Sequence, residues 1–170
     1  MSGTFMQILW GMLFVLIDVK LQNFDVALDV IGYVMIVGPL GRLAPAAAAF
    51  GTARPFALIA GVVSLPAMIP IEPLQPFWFL QTVLDVFMIW YLCSGIIDLA
   101  NARANAALVM NATSVRTLNV LASTSALFVT VLAAIVRDRL VYLAIPLIAL
   151  LITVAVLTLL LVKRASAEIA

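Results

Sequence analysis

Apolar residues occur in this chain in long blocks, and polar residues fall in the short breaks between them. A helix needs about 20 apolar residues to cross a hydrocarbon core about 30 Å thick. On that measure the pattern predicts six spans: Phe5–Val19, Val26–Leu40, Ala46–Ile69, Phe77–Leu99, Ser114–Val136 and Leu140–Val162. The last four are long enough to stand alone. The first two are short, and they read either as two spans or as one tilted or re-entrant pair. The longest polar connection runs from about Asn101 to Thr113, leaving no room for a soluble domain. Residues 1–170 are therefore expected to form one membrane-embedded helical domain. The start of the chain reads as a retained helix. Met1 to Leu9 holds no Lys or Arg, and the apolar run meets Asp18 and Lys20 without a small-x-small cleavage site.

The predicted fold class is all-α: a polytopic integral membrane bundle of about six transmembrane helices. Composition agrees. The chain is 66% hydrophobic and 10% charged, against about 45–50% and about 25% for soluble domains. Orientation follows from basic residues, which gather on the cytoplasmic side. With six spans, Arg42, Arg54, Arg103, Arg116, Lys163 and Arg164 fall on one side and Lys20, Arg137 and Arg139 on the other. That bias places both termini in the cytoplasm and the chain in the cell (inner) membrane.

Composition also removes chemistry. There is no His, so imidazole metal sites, His-ligated haem and Ser-His-Asp triads are excluded. The one Cys, Cys93, excludes internal disulfides and CxxC redox motifs. A formal charge of +1 gives no drive toward nucleic acid. No phosphate-cradling Gly loop and no GxSxG elbow is present. Gly38-Pro39-Leu40-Gly41 reads as a helix end. No cofactor is indicated, although pigment or quinone contacts need no fixed motif.

The remaining polar residues define the candidate sites. An ionisable residue within a span is costly and marks a functional position by default. Asp85 lies eight residues after Phe77, roughly 12 Å into the fourth span at 1.5 Å per residue. Gln81 and Thr82, at i−4 and i−3, share its face. Such a carboxylate carries a proton, binds a cation or pairs with an arginine. Arg54, if drawn into the third span, is the natural partner. A second group is Asp18, Asp25 and Asp29, with Lys20 beside them. Asp25 and Asp29 share a face at the start of the second span, with Tyr33 a turn further. The helix dipole accounts for carboxylates there, and the alternative is an outer acidic cluster that attracts a cation. No loop has calcium-motif spacing, and no metal site is expected.

Two outer turns are predicted. Leu65 to Pro76 holds four of the eight prolines and reads as a rigid extended connection. Arg137-Asp138-Arg139 must be very tight. Small residues bring helices close in lipid. Ala47-x-x-x-Gly51 and Ala57-x-x-x-Gly61 on the third span, and Ala122-x-x-x-Ala126 with Ser123 and Ser125 on the fifth, point to these two spans as the packed interior. The sixth span is apolar all round and reads as peripheral. A faint echo at an offset of eighty residues pairs Trp10 and Asp18 with Trp90 and Asp98, and Ala27-Leu28 with Ala107-Leu108. It suggests a weak 3+3 inverted repeat.

Two functions remain open. The first is a non-enzymatic accessory or scaffold subunit, working in the lipid bilayer through helix–helix contacts with other membrane subunits or its own copies. The second is a small proton- or cation-coupled transporter or channel using Asp85.

Overall fold

The computed structural model describes residues 1–16, 25–65, 75–135 and 141–169. Among these, six helices and no strands are found: α1 (Ser2–Leu16), α2 (Asp25–Leu43), α3 (Ala48–Ser64), α4 (Gln75–Ala102), α5 (Ala106–Ile135) and α6 (Val141–Glu168). The apolar blocks form helices because a helix satisfies its backbone groups internally. Two stretches, Phe79–Ala102 and Pro146–Glu168, are long and apolar enough to cross a membrane by themselves. α1 and α3 are apolar but shorter. α5 is the longest helix, at 30 residues, but Asn111, Arg116, Asn119 and Ser123 interrupt its apolar face.

The boundaries differ from the sequence expectation at three informative places. α5 begins at Ala106, eight residues before Ser114, so the polar stretch from Asn101 to Thr113 is mostly helix. The link is only Arg103 to Asn105. Asn105 N–H donates to the Ala100 carbonyl (2.9 Å), and Ala104 N–H donates to that of Asn101 (3.0 Å). Ala104 sits at φ 53 to allow this, the left-handed position that closes many helices. Asn105 then caps α5, its Oδ1 accepting Leu108 N–H at 3.0 Å. α2 runs through the Gly38-Pro39-Leu40-Gly41 break to Leu43. Pro39 frees one carbonyl without ending the helix. α4 begins at Gln75, so Pro76 lies in its first turn, where a missing N–H costs little. The rest of the proline-rich turn, the Arg137-Asp138-Arg139 turn and residues 17–24, including Asp18 and Lys20, lie outside the described residues.

Each helix packs mainly on its sequence neighbours, and α6 returns to α1. The six helices therefore close a ring. No helix occupies its centre, which corrects the expectation that the third and fifth spans form a packed interior. The inner stripes repeat every three or four residues: Phe5, Ile8 and Met12 on α1; Tyr33, Ile36 and Leu40 on α2; Phe50, Ala53, Ala57 and Ala60 on α3; Leu84, Met88 and Leu92 on α4. α6 also has an inner stripe (Val154, Thr158, Leu161 and Ala165). It is a full member of the ring, whereas an all-apolar sequence shows no preferred face. The outer surface carries large apolar side chains on every helix, among them Trp10, Val34, Val62, Phe87, Phe128 and Ile152.

One end of the ring gathers its polar contacts. Ser2 Oγ lies 3.4 Å from Ser166 Oγ, and Arg42 donates to Gln7. Asn105 donates to Glu168 at 2.6 Å, and Arg164 pairs with Glu168 at 2.5 Å. The start of α1, the end of α2, the α4–α5 turn and the end of α6 thus meet on one side. The first three helices have 15, 19 and 17 residues and the last three 28, 30 and 28. Any echo between the halves joins elements of unequal length.

Candidate functional site

Asp85 and Gln81 stand one turn apart on α4, as their i, i+4 spacing requires. The residue that joins them comes from α2. Tyr33 Oη donates to Asp85 Oδ1 at 2.6 Å, and Gln81 Nε2 donates to Tyr33 Oη at 2.6 Å. The hydroxyl is thus acceptor and donor in one chain that ends on the carboxylate. Tyr33 is 1% exposed. Gly61 on α3 makes room for it: a Cβ there would stand 3.0 Å from Tyr33 Cβ. The small residue at Gly61 therefore seats the tyrosine. Gln81 Oε1 is buried without a hydrogen-bond partner.

Beyond this chain lies a half-open cavity of about 480 Å³ lined by five helices of the ring. Its walls come from α1 (Met12, Val15, Leu16), α2 (Ile36), α4 (Thr82, Asp85, Met88, Ile89), α5 (Asn119, Ser123) and α6 (Leu151, Val154, Thr158), among others. Among the described residues the lining holds no Lys or Arg, and Asp85 is its one ionisable side chain. Asn119, on the α5 wall, is 6% exposed, and its Nδ2 has no hydrogen-bond partner. The Thr158 hydroxyl is committed to the Val154 carbonyl at 2.8 Å. The site is thus a largely apolar chamber with one carboxylate and one under-satisfied carboxamide.

Of the residues expected from sequence, Asp85, Gln81 and Thr82 fall in or beside this chamber. Arg54 does not. It is exposed, and its guanidinium lies over Gly41 at the end of α2. Arg54 starts from the first turns of α3, so its side chain stays near that end, and Asp85 takes the tyrosine as partner. Asp29 is half-buried, one turn before Tyr33, and within electrostatic reach of both Tyr33 and Asp85. Asp25 is the first residue of α2, and Asp18 lies outside the described residues. Asp29 is not among the residues that line the chamber. Among the described residues, no group of three or more Cys, Asp or Glu side chains is placed to hold a metal ion.

Two features escaped the sequence reading. Asn119 was signalled by spacing: Arg116, Asn119 and Ser123 recur at three and four residues, a polar stripe on one face of α5. Arg116 was counted as a flanking charge. It lies ten residues into α5, its guanidinium carbon 4.5 Å from the Trp90 ring centre and Nη1 donating to Ser94 at 3.2 Å. Its charge rests on an aromatic face, with Nε buried and unpartnered.

No protein family, curated protein or solved structure matches this chain.

Proposed function

We propose that this chain is a polytopic integral membrane protein that moves a small solute or cation through its helical ring, with Asp85 as the working carboxylate. The observation that carries this reading is the chamber: five helices line it, and Asp85, its one ionisable lining residue among those described, is held by Tyr33, which in turn accepts from Gln81. A polar site inside an apolar bundle is where substrate and ion paths run. Large apolar side chains on the outer face of all six helices favour a lipid surround. In this reading the polar end that gathers Arg42, Arg103, Lys163 and Arg164 faces the cytoplasm, with both termini on that side and the chain in the cell (inner) membrane. The role is non-enzymatic.

A second reading, an accessory or scaffold subunit, is favoured by the outer face of α6. Ile148, Ile152, Val156 and Leu160 are exposed there and could pack on a membrane partner or a second copy.

The test is ion or proton flux in proteoliposomes holding the full chain, read with an internal pH-sensitive dye under an imposed potential. Asp85→Asn is expected to abolish the flux while the purified protein stays monodisperse. Flux unchanged in Asp85→Asn removes the mechanism. Absence of flux, together with a stoichiometric partner retained in mild detergent, replaces it with the scaffold reading.

A further inference from the structure

We propose that the chamber takes a small organic amine, an ammonium on an apolar body, with its charge against Asp85. This rests on the chamber being the working site and specifies what enters it.

Size is the first constraint. A volume of about 480 Å³ falls within the roughly 300–1,000 Å³ of small-molecule sites. A bare inorganic cation fills a small part of it. Such an ion also needs several oxygen ligands at close range, and the lining supplies one carboxylate among mostly apolar side chains.

Charge is the second constraint. An ionised carboxylate facing an apolar chamber draws a positive partner, because burying it alone is costly. Among the described residues the lining has no Lys or Arg to serve. Arg54 is exposed over Gly41, and Arg116 is taken up by Ser94 and Trp90. Asp29, within electrostatic reach of Asp85, adds to the negative potential. An anionic occupant is disfavoured on the same grounds. Tyr33 occupies one carboxylate oxygen as a donor, fixing the carboxylate without neutralising it.

The ligand is thus amphipathic: ammonium toward Asp85 on α4, hydrocarbon against Ile36, Met88 and Leu151.

The test uses the full chain in mild detergent and titration calorimetry with two probes of similar shape, 4-phenylbutylamine and 4-phenylbutanol. The amine is expected to bind about 10- to 100-fold tighter than the alcohol, the range of a charged hydrogen bond. Asp85→Asn, checked for unchanged thermal unfolding, should bring the amine down to the level of the alcohol. Leu151→Trp, which fills the chamber, should weaken both. Equal binding of amine and alcohol overturns the proposal. So does an amine affinity untouched by Asp85→Asn, or sodium binding that is lost in Asp85→Asn when no amine binds. The outcome separates from that of the transport reading. Asp85-dependent flux without amine selectivity removes the amine alone, and amine selectivity without flux removes transport alone.

Discussion

Replacing Gly11 by alanine should force α1 away from α2 at the chamber wall. A Cβ on Gly11 would stand 2.7 Å from the Gly32 carbonyl oxygen, 2.7 Å from Ile36 Cγ1 and 3.2 Å from Met35 Cβ. The contact is reciprocal: a Cβ on Gly32 would meet the Gly11 carbonyl oxygen at 2.6 Å. Carbon atoms rest at about 3.5–4.0 Å from one another, so the helices must part by roughly 1 Å. A backbone carbonyl cannot rotate away as a side-chain end can. Overpacking of this kind is unfavourable by about 1–3 kcal/mol. Alanine recovers about 0.5–1 kcal/mol of helix propensity, and the net loss is about 0–2.5 kcal/mol. The control is Gly38→Ala, where an added Cβ meets nothing within 4 Å. Only the propensity gain operates there, and stability should hold or rise. Thermal unfolding of both variants in one detergent measures the difference. Met12, Val15 and Ile36 share the chamber wall, so probe binding to Gly11→Ala should weaken as well. If Gly11→Ala unfolds as late as Gly38→Ala, the close approach of α1 and α2 is wrong, and with it the closure of the ring on that side.

Other substitutions probe the site and the α4–α5 turn. A double-mutant cycle of Tyr33→Phe and Asp85→Ala should give a coupling of about 0.5–3 kcal/mol, the range for residues joined by a hydrogen bond; additive effects would deny the bond. Ala104→Gly should stabilise the fold by about 1 kcal/mol, since a left-handed φ is unfavourable for alanine. Asn105→Ala should destabilise it by about 1 kcal/mol through loss of the α5 cap, both read as shifts in unfolding midpoint. Arg116→Met, in a variant that keeps Trp90 as its single tryptophan, should shift the Trp90 emission and lower stability by about 0.5–2 kcal/mol. Unchanged emission would place the guanidinium elsewhere.

Much of the site could be read along one helix and not across two. Gln81, Thr82 and Asp85 share a face by spacing alone, and the structure sets them on one wall. Their partner could not be read this way. Arg54 was the expected counter-charge because its sign is opposite, but an exposed position over Gly41 keeps it at the far end of α3. Tyr33 takes its place because Gly61 leaves room for the ring, and that depends on how α2 and α3 cross. The Gly11–Gly32 contact belongs to the same class. Neither glycine forms a small-xxx-small pair, so no local pattern marks it. Arg116 and Asn119 were missed for a different reason. Both fall inside the expected span Ser114–Val136, where Arg116 reads as a flanking charge near the start; α5 begins at Ala106 and sets Arg116 ten residues inside.

The sequence alone determined the helical class, the number of helices and the presence of one costly carboxylate on α4. These follow from local quantities: apolar block length, residue spacing and the expense of burying a charge. Only the tertiary structure decided that the helices close a ring, that the ring holds a chamber, and that Tyr33 rather than Arg54 reaches Asp85. Those outcomes depend on which faces meet and how closely. Packing between helices sets both, through atoms as few as the missing Cβ of a glycine.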